Sequence, residues 1–160
     1  MIVVSNTTPI LSLYKIGRLE LLSDLFKQVI VPQAVYNEIS ILGRGKPGHD
    51  AFDLVNYISV KQIENVLAAS LLRSQLDYGE AETIVLAQEM GADVLILDEK
   101  KARKIAQANS QKVIGTIGIL QMAKDKGLIP NIKTALDALI ENGIWINQKL
   151  YKAVIDGNGE

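Results

Sequence analysis

Val94-Leu95-Ile96-Leu97-Asp98-Glu99-Lys100-Lys101 is the stretch that decides the fold. A short, unbroken apolar run bounded by charged residues has the length of a strand buried on both faces. A second such run opens the chain, where Ile2-Val3-Val4 closes on Ser5-Asn6-Thr7-Thr8-Pro9. Doubly buried strands belong to parallel sheets. With both runs parallel in one sheet, Asn6 and Asp98 leave it at the same edge. That edge, at the carboxyl ends of the strands, is where open α/β sheets bind ligands.

Working outward, short β-branched runs alternate with longer helical periods. Strands are predicted at 2–5, 29–31, 58–60, 94–97 and 113–114, with a late strand or extended piece at Ile144-Trp145-Ile146. Pro9 opens a short helix, since proline is tolerated in a first helical turn. Leu19, Leu22, Leu25 and Phe26 are spaced for one helical face, and Pro32 starts a helix that runs to about Ile39. Further helices are predicted over 51–56, 64–75, 80–90, 99–108, 117–126, 131–142 and 147–155. Asp77-Tyr78-Gly79 is read as the break before the helix at 80–90, and Gly91 as its stop. Leu67, Leu71 and Leu72 are expected to face the core, and Trp145 and Tyr151 to be packing residues. Residues 43–50, Gly-Arg-Gly-Lys-Pro-Gly-His-Asp, form a surface loop rich in chain breakers, with His49 a solvated loop residue. Strands alternating with helices predict a three-layer α/β/α domain with a central, mainly parallel sheet, spanning residues 1–160 as one unit.

Composition narrows the function. Lys and Arg number 17 against 18 Asp and Glu, so no global charge attracts nucleic acid and any such binding needs a local patch. The absence of cysteine excludes disulfides and thiolate metal sites. No secretion signal opens the chain and no apolar run approaches the ~20 residues that cross a bilayer, so a cytoplasmic protein without membrane contact is expected. No G-x-G-x-x-G follows the first strand and no P-loop occurs, which argues against a nucleotide-binding enzyme. A receiver-like regulatory domain would need an acidic pair where the first strand ends in Asn6.

Oxygen ligands at a sheet edge suit a hard divalent cation. Besides Asn6 and Asp98, the candidates are Glu38, near the end of a helix, and Glu80, in the first turn of another. Each has an ordinary alternative. Asn6 fits a turn or a cap, Glu80 a charge favoured by a helix start, and Asp98 an N-cap of helix 99–108. Lys100, Lys101, Arg103 and Lys104 form the densest basic cluster, placed to bind RNA phosphates beside Asp98 or to be a solvated helix face. Arg44 and Lys46 extend it.

Taken in order, Val3-Val4-Ser5-Asn6-Thr7-Thr8-Pro9, Val31-Pro32-Gln33-Ala34-Val35-Tyr36-Asn37-Glu38-Ile39, Gly79-Glu80-Ala81-Glu82 and Leu97-Asp98-Glu99-Lys100-Lys101-Ala102-Arg103 resemble the successive motifs of the PIN domain. The resemblance runs from residue 2 to about 155 and includes Gly115-Thr116-Ile117-Gly118-Ile119-Leu120, as in a PIN-like subgroup related to VapC-type toxins. It implies an endoribonuclease dependent on Mg²⁺ or Mn²⁺, the toxin of a toxin–antitoxin pair, with a homodimer and an antitoxin protein as partners. It also implies that Asn6, Glu38, Glu80 and Asp98 are the four successive acidic positions, with Asn6, Glu80 and Asp98 as metal ligands. Thr7 matches the hydroxyl after the first position, and Thr116, Glu82 and Glu99 stand as supporting groups. The family pattern has Asp at the first position. Asn6 offers an amide oxygen without charge, which predicts weaker metal binding and slower cleavage, or a module that binds RNA or a protein partner with its chemistry weakened.

Overall fold

The computed structural model describes residues 1–160. Five strands form one sheet: β1 (Val3–Ser5), β2 (Val29–Pro32), β3 (Ile58–Lys61), β4 (Val94–Ile96) and β5 (Val113–Ile114). Their order is β3-β2-β1-β4-β5, and every neighbouring pair is parallel. The chain therefore steps from β1 outward to β3, then returns to place β4 on the other side of β1. The reversal between β1 and β4 is a topological switch point, where the connections diverge and leave a crevice at the strand ends.

Side chains of successive strand residues point to opposite faces, and the two faces are separately packed. Val3, Val29, Val31, Val94 and Ile96 belong to the larger hydrophobic cluster. That cluster is completed by α1 (Thr7–Lys15), α2 (Leu21–Phe26), α3 (Gln33–Tyr36), α8 (Thr116–Asp125) and α9 (Ile132–Glu141). Val4, Leu95 and Leu97 turn the other way, against α6 (Tyr78–Met90) and α7 (Lys100–Ala108). Helices on both faces make the predicted three-layer α/β/α arrangement. The remaining helices are α4 (Ala51–Leu54), α5 (Val66–Leu72) and α10 (Gln148–Gly157).

Several expectations change in detail. The helix after Pro32 continues beyond α3 as a π-helical turn, Asn37–Leu42, which carries Glu38. Insertions of this kind are frequent at functional sites. Asp77 alone precedes α6, because Tyr78 and Gly79 already belong to its first turn. Gly91 ends that helix in the left-handed conformation, at φ 58°. Ile144-Trp145-Ile146 does not join the sheet. Leu67 and Leu71 are not core residues, being 69% and 68% exposed. Ala69 is the residue that α5 buries, and Leu72 is half-buried. Trp145 is not a packing residue either, at 83% exposed. Tyr151 does pack, half-buried with its hydroxyl donating to Asp137 at 2.6 Å. No helix is long and apolar enough to cross a membrane.

Candidate active site at the switch point

Asn6 follows β1 directly, and its N–H donates to the Ile96 carbonyl at 3.0 Å, fastening the end of β1 to the end of β4. It occupies the N-cap position of α1, yet its side chain makes no capping bond. The residue is 5% exposed, and its Oδ1 is buried without a hydrogen-bond partner. An orphaned polar atom of this kind costs about 1–3 kcal/mol. Buried acceptors are nearly always satisfied, so an unpaired one calls for an explanation such as a bound water or ion.

Gly79 explains what surrounds that oxygen. A Cβ on Gly79 would stand 2.9 Å from Glu38 Oε2, 3.1 Å from Asn6 Oδ1 and 3.6 Å from Asp77 Oδ1. The missing Cβ leaves room for the Glu38 and Asn6 oxygens to close onto the start of α6, with Asp77 at ordinary contact distance. Glu38 is held there by the Thr7 hydroxyl, which donates to Oε2 at 2.7 Å. Asn6 and Thr7 thus form one cluster with Glu38, which is distant from them in sequence. Asp77 and Gly79 join it and were not foreseen as site residues. The Asp77-x-x-Glu80 spacing, a capping-box pattern, was the available signal.

Glu80 performs its helix-start role. The Glu80 N–H donates to Asp77 Oδ1 at 2.8 Å, and the Asp77 N–H donates to Glu80 Oε2 at 3.0 Å. Burial pushes the Glu80 carboxyl above its ordinary range. The Asp77 N–H opposes that shift, and the charges of Asp77, Glu99 and Glu38 add to it. The negative charge around Glu80 thus comes from Asp77 in its own cap, from Glu38 and from the α7 cap Glu99.

Asp98 belongs to a second group of residues, with Thr116, Gly115 and Arg103. It lies beyond β4 and accepts twice from Thr116, from the N–H on Oδ1 at 2.7 Å and from the hydroxyl on Oδ2 at 2.6 Å. Gly115 permits this approach, since a Cβ there would fall 2.7 Å from Asp98 Oδ1 and 2.6 Å from Arg103 Nη1. Asp98 does not cap α7. Glu99 does, accepting from the Ala102 N–H at 2.7 Å. Glu82 accepts from the Ala34 N–H at 3.1 Å and so ties α6 to α3.

The basic cluster divides. Lys100 and Arg103 line a cleft of about 720 Å³ together with Asp98 and Thr116, whereas Lys101 and Lys104 are exposed outside its lining. Arg103 is half-buried, and its Nη1 donates to the Leu97 carbonyl at 3.2 Å. Lys46 reaches a smaller cavity with Thr7 and Glu38. His49 lies on the surface with Nδ1 against the Lys46 carbonyl at 2.9 Å.

No three His, Cys, Asp or Glu side chains are grouped closely enough to hold an ion by themselves. Around Gly79 the Asn6 amide oxygen meets carboxylate oxygens of Glu38 and Asp77, while Glu80 pairs with the Asp77 backbone and Asp98 with Thr116. The orphaned Asn6 Oδ1 beside Glu38 fits a hard cation such as Mg²⁺ or Mn²⁺. Each carboxylate oxygen that already accepts one hydrogen bond retains a lone pair for a metal. A comparison with curated proteins gives no match. A family model described as a PIN domain matches residues 2–160, nearly the whole chain, and the protein therefore belongs to the PIN domain family.

Proposed function

We propose that this chain is a divalent-metal-dependent endoribonuclease that hydrolyses RNA phosphodiesters, with its active centre at the crevice between β1 and β4. PIN domains are generally nucleases, which supports the reaction class. The observation that carries the metal dependence is the buried Asn6 Oδ1, left without a donor next to Glu38 Oε2. Asn6, Glu80 and Asp98 would hold the ion, with Glu38 completing the catalytic set. A bound Mg²⁺ or Mn²⁺ supplies an activated water and a positive charge against the phosphoryl oxygens.

The chain's own residues do the positioning. Thr7 fixes the Glu38 carboxylate, and Thr116 fixes both oxygens of Asp98. Lys100 and Arg103, on the wall shared with Asp98, offer cations to the substrate phosphates. Such contacts position a strand without reading its sequence. No cysteine is present, and the single histidine lies in the breaker-rich loop, so a nucleophilic side chain plays no part in this reading.

Asn6 favours a second reading. An amide in place of a carboxylate weakens the ligand set, and a chain that binds RNA or a protein partner with reduced catalysis follows from the same geometry. The role as a cytoplasmic toxin, with a homodimer and an antitoxin protein as partners, rests on the family alone. Growth arrest on expression, relieved by the product of a neighbouring small gene, tests it. The test of the enzyme is cleavage of a mixed-sequence RNA pool with and without Mn²⁺, beside the Asp98→Ala variant. Cleavage that requires metal and disappears with Asp98 supports the endoribonuclease. Absence of cleavage by the unaltered chain, with activity appearing in Asn6→Asp, selects the weakened module.

A further inference from the structure

Trp145 is the single tryptophan of the chain, and it is 83% exposed. Its surroundings are not loose. Ile144 and Ile146 on either side are half-buried against the larger core cluster. The Ile144 N–H donates to the Leu139 carbonyl at 3.0 Å. Asn147 caps α10, accepting from the N–H groups of Lys149 and Leu150 at 2.8 and 3.2 Å. The backbone is thus anchored on both sides of an indole that points away from the core. Trp145 lines the same cleft of about 720 Å³ as Asp98, Thr116, Lys100 and Arg103.

We propose that Trp145 is a stacking platform for a nucleobase of single-stranded RNA, with Lys100 and Arg103 holding the adjoining phosphates. The proposal deepens the endoribonuclease reading and rests on it for the choice of RNA. Charge decides the occupant of the cleft. An apolar partner seated on Trp145 would bury Lys100 and Arg103 against the single carboxylate of Asp98, whereas a polyanion neutralises the excess positive charge. Aromatic rings held beside cations suit single strands, because every base offers a π-face and none needs to be read by its edge. A duplex covers those faces by its own stacking, so double-stranded RNA is a poor occupant.

The sole indole makes the test direct. Trp145 fluorescence is followed in EDTA, where metal-dependent cleavage is off, as an oligouridylate of about ten nucleotides is added. The expected result is saturable quenching whose midpoint rises several-fold between about 50 and 200 mM salt. Duplex RNA of the same length leaves the emission unchanged. With end-labelled oligouridylate followed by anisotropy, Trp145→Ala weakens binding by roughly 5- to 100-fold, while Trp145→Phe retains most of it. In Mn²⁺ the Trp145→Ala variant raises KM for RNA and leaves kcat near that of the unaltered chain. RNA that binds with unchanged emission and equal affinity to Trp145→Ala overturns the platform while cleavage still stands. A complete lack of RNA binding overturns it as well. An emission shift that follows protein concentration without RNA assigns the indole to a contact between copies and also overturns it. Trp145-dependent binding without any metal-dependent cleavage leaves the platform standing and removes the nuclease.

Discussion

Asn6 stands at a helix start, where its residue type is among the best caps, and does not cap. Its side chain is instead buried with Oδ1 unpaired. Replacing it with leucine removes an unsatisfied acceptor while keeping the same number of side-chain heavy atoms. Asn6→Leu is therefore expected to raise stability in EDTA by about 1–3 kcal/mol and to abolish Mn²⁺ binding. Thermal melts with and without Mn²⁺ check both halves, and a lower melting point in EDTA would show that the amide is needed for folding. Asp98 likewise yields the cap of α7 to Glu99 and keeps its oxygens for Thr116 and the crevice. Thr116→Val removes one of its two donors and leaves the backbone N–H in place. Cleavage should fall about 10- to 100-fold, in the manner of ligand-orienting groups elsewhere, with circular dichroism unchanged. An unaltered rate would mean that the hydroxyl does not orient Asp98. The positions of Asn6 and Asp98 were legible because a residue directly after a buried parallel strand can only lie at the sheet edge. The direction of their side chains was not, since capping and crevice-lining begin from the same backbone position.

At the scale of elements, α6 shows where the sequence misled. Asp77-Tyr78-Gly79 reads as a break, but the reciprocal Asp77–Glu80 bonds draw Tyr78 and Gly79 into the helix. Gly79 thereby comes to face Asn6 and Glu38. Asp77→Ala should destabilise the protein by about 0.5–2 kcal/mol through loss of the cap, measured by urea unfolding. A change near zero would assign the helix start to other contacts. Exposure was the least legible property of the later elements. Leu67, Leu71 and Trp145 are apolar residues whose burial depends on which distant element packs over them, and nothing local specifies that. A different terminus is capped from afar. The Glu160 carboxylate accepts from the Ile132 and Lys133 N–H groups at the start of α9 and from Lys124 Nζ at 2.6 Å. The Lys124 ammonium first, and then the two N–H groups, hold its carboxyl down at about 2, below the ordinary 4.5. Its contribution is therefore complete above that ordinary value and is lost as pH falls toward about 2. Glu160→Gln should lower the melting temperature at neutral pH and converge with the unaltered chain at the acid end. A gap that stays constant with pH would contradict the linkage.

For the whole molecule, the layer architecture was readable because each doubly buried strand must be covered on both faces. Val3 and Val4, like Ile96 and Leu97, divide between the two clusters as strand geometry requires. The strand order was not readable, since apolar runs do not name their neighbours. Yet the order creates the crevice in which the site is proposed: β1 lies beside β4, and the connections part between them. The central claim is that oxygens gathered at this switch point bind a divalent cation. Calorimetric titration of Mn²⁺ into the protein, Asn6→Asp and Asn6→Leu tests it most directly. Binding is expected to be about tenfold tighter in Asn6→Asp, as an added ligand charge tightens such sites, and to be absent in Asn6→Leu. Equal Mn²⁺ affinity in all three proteins would place any metal away from Asn6 and contradict the claim.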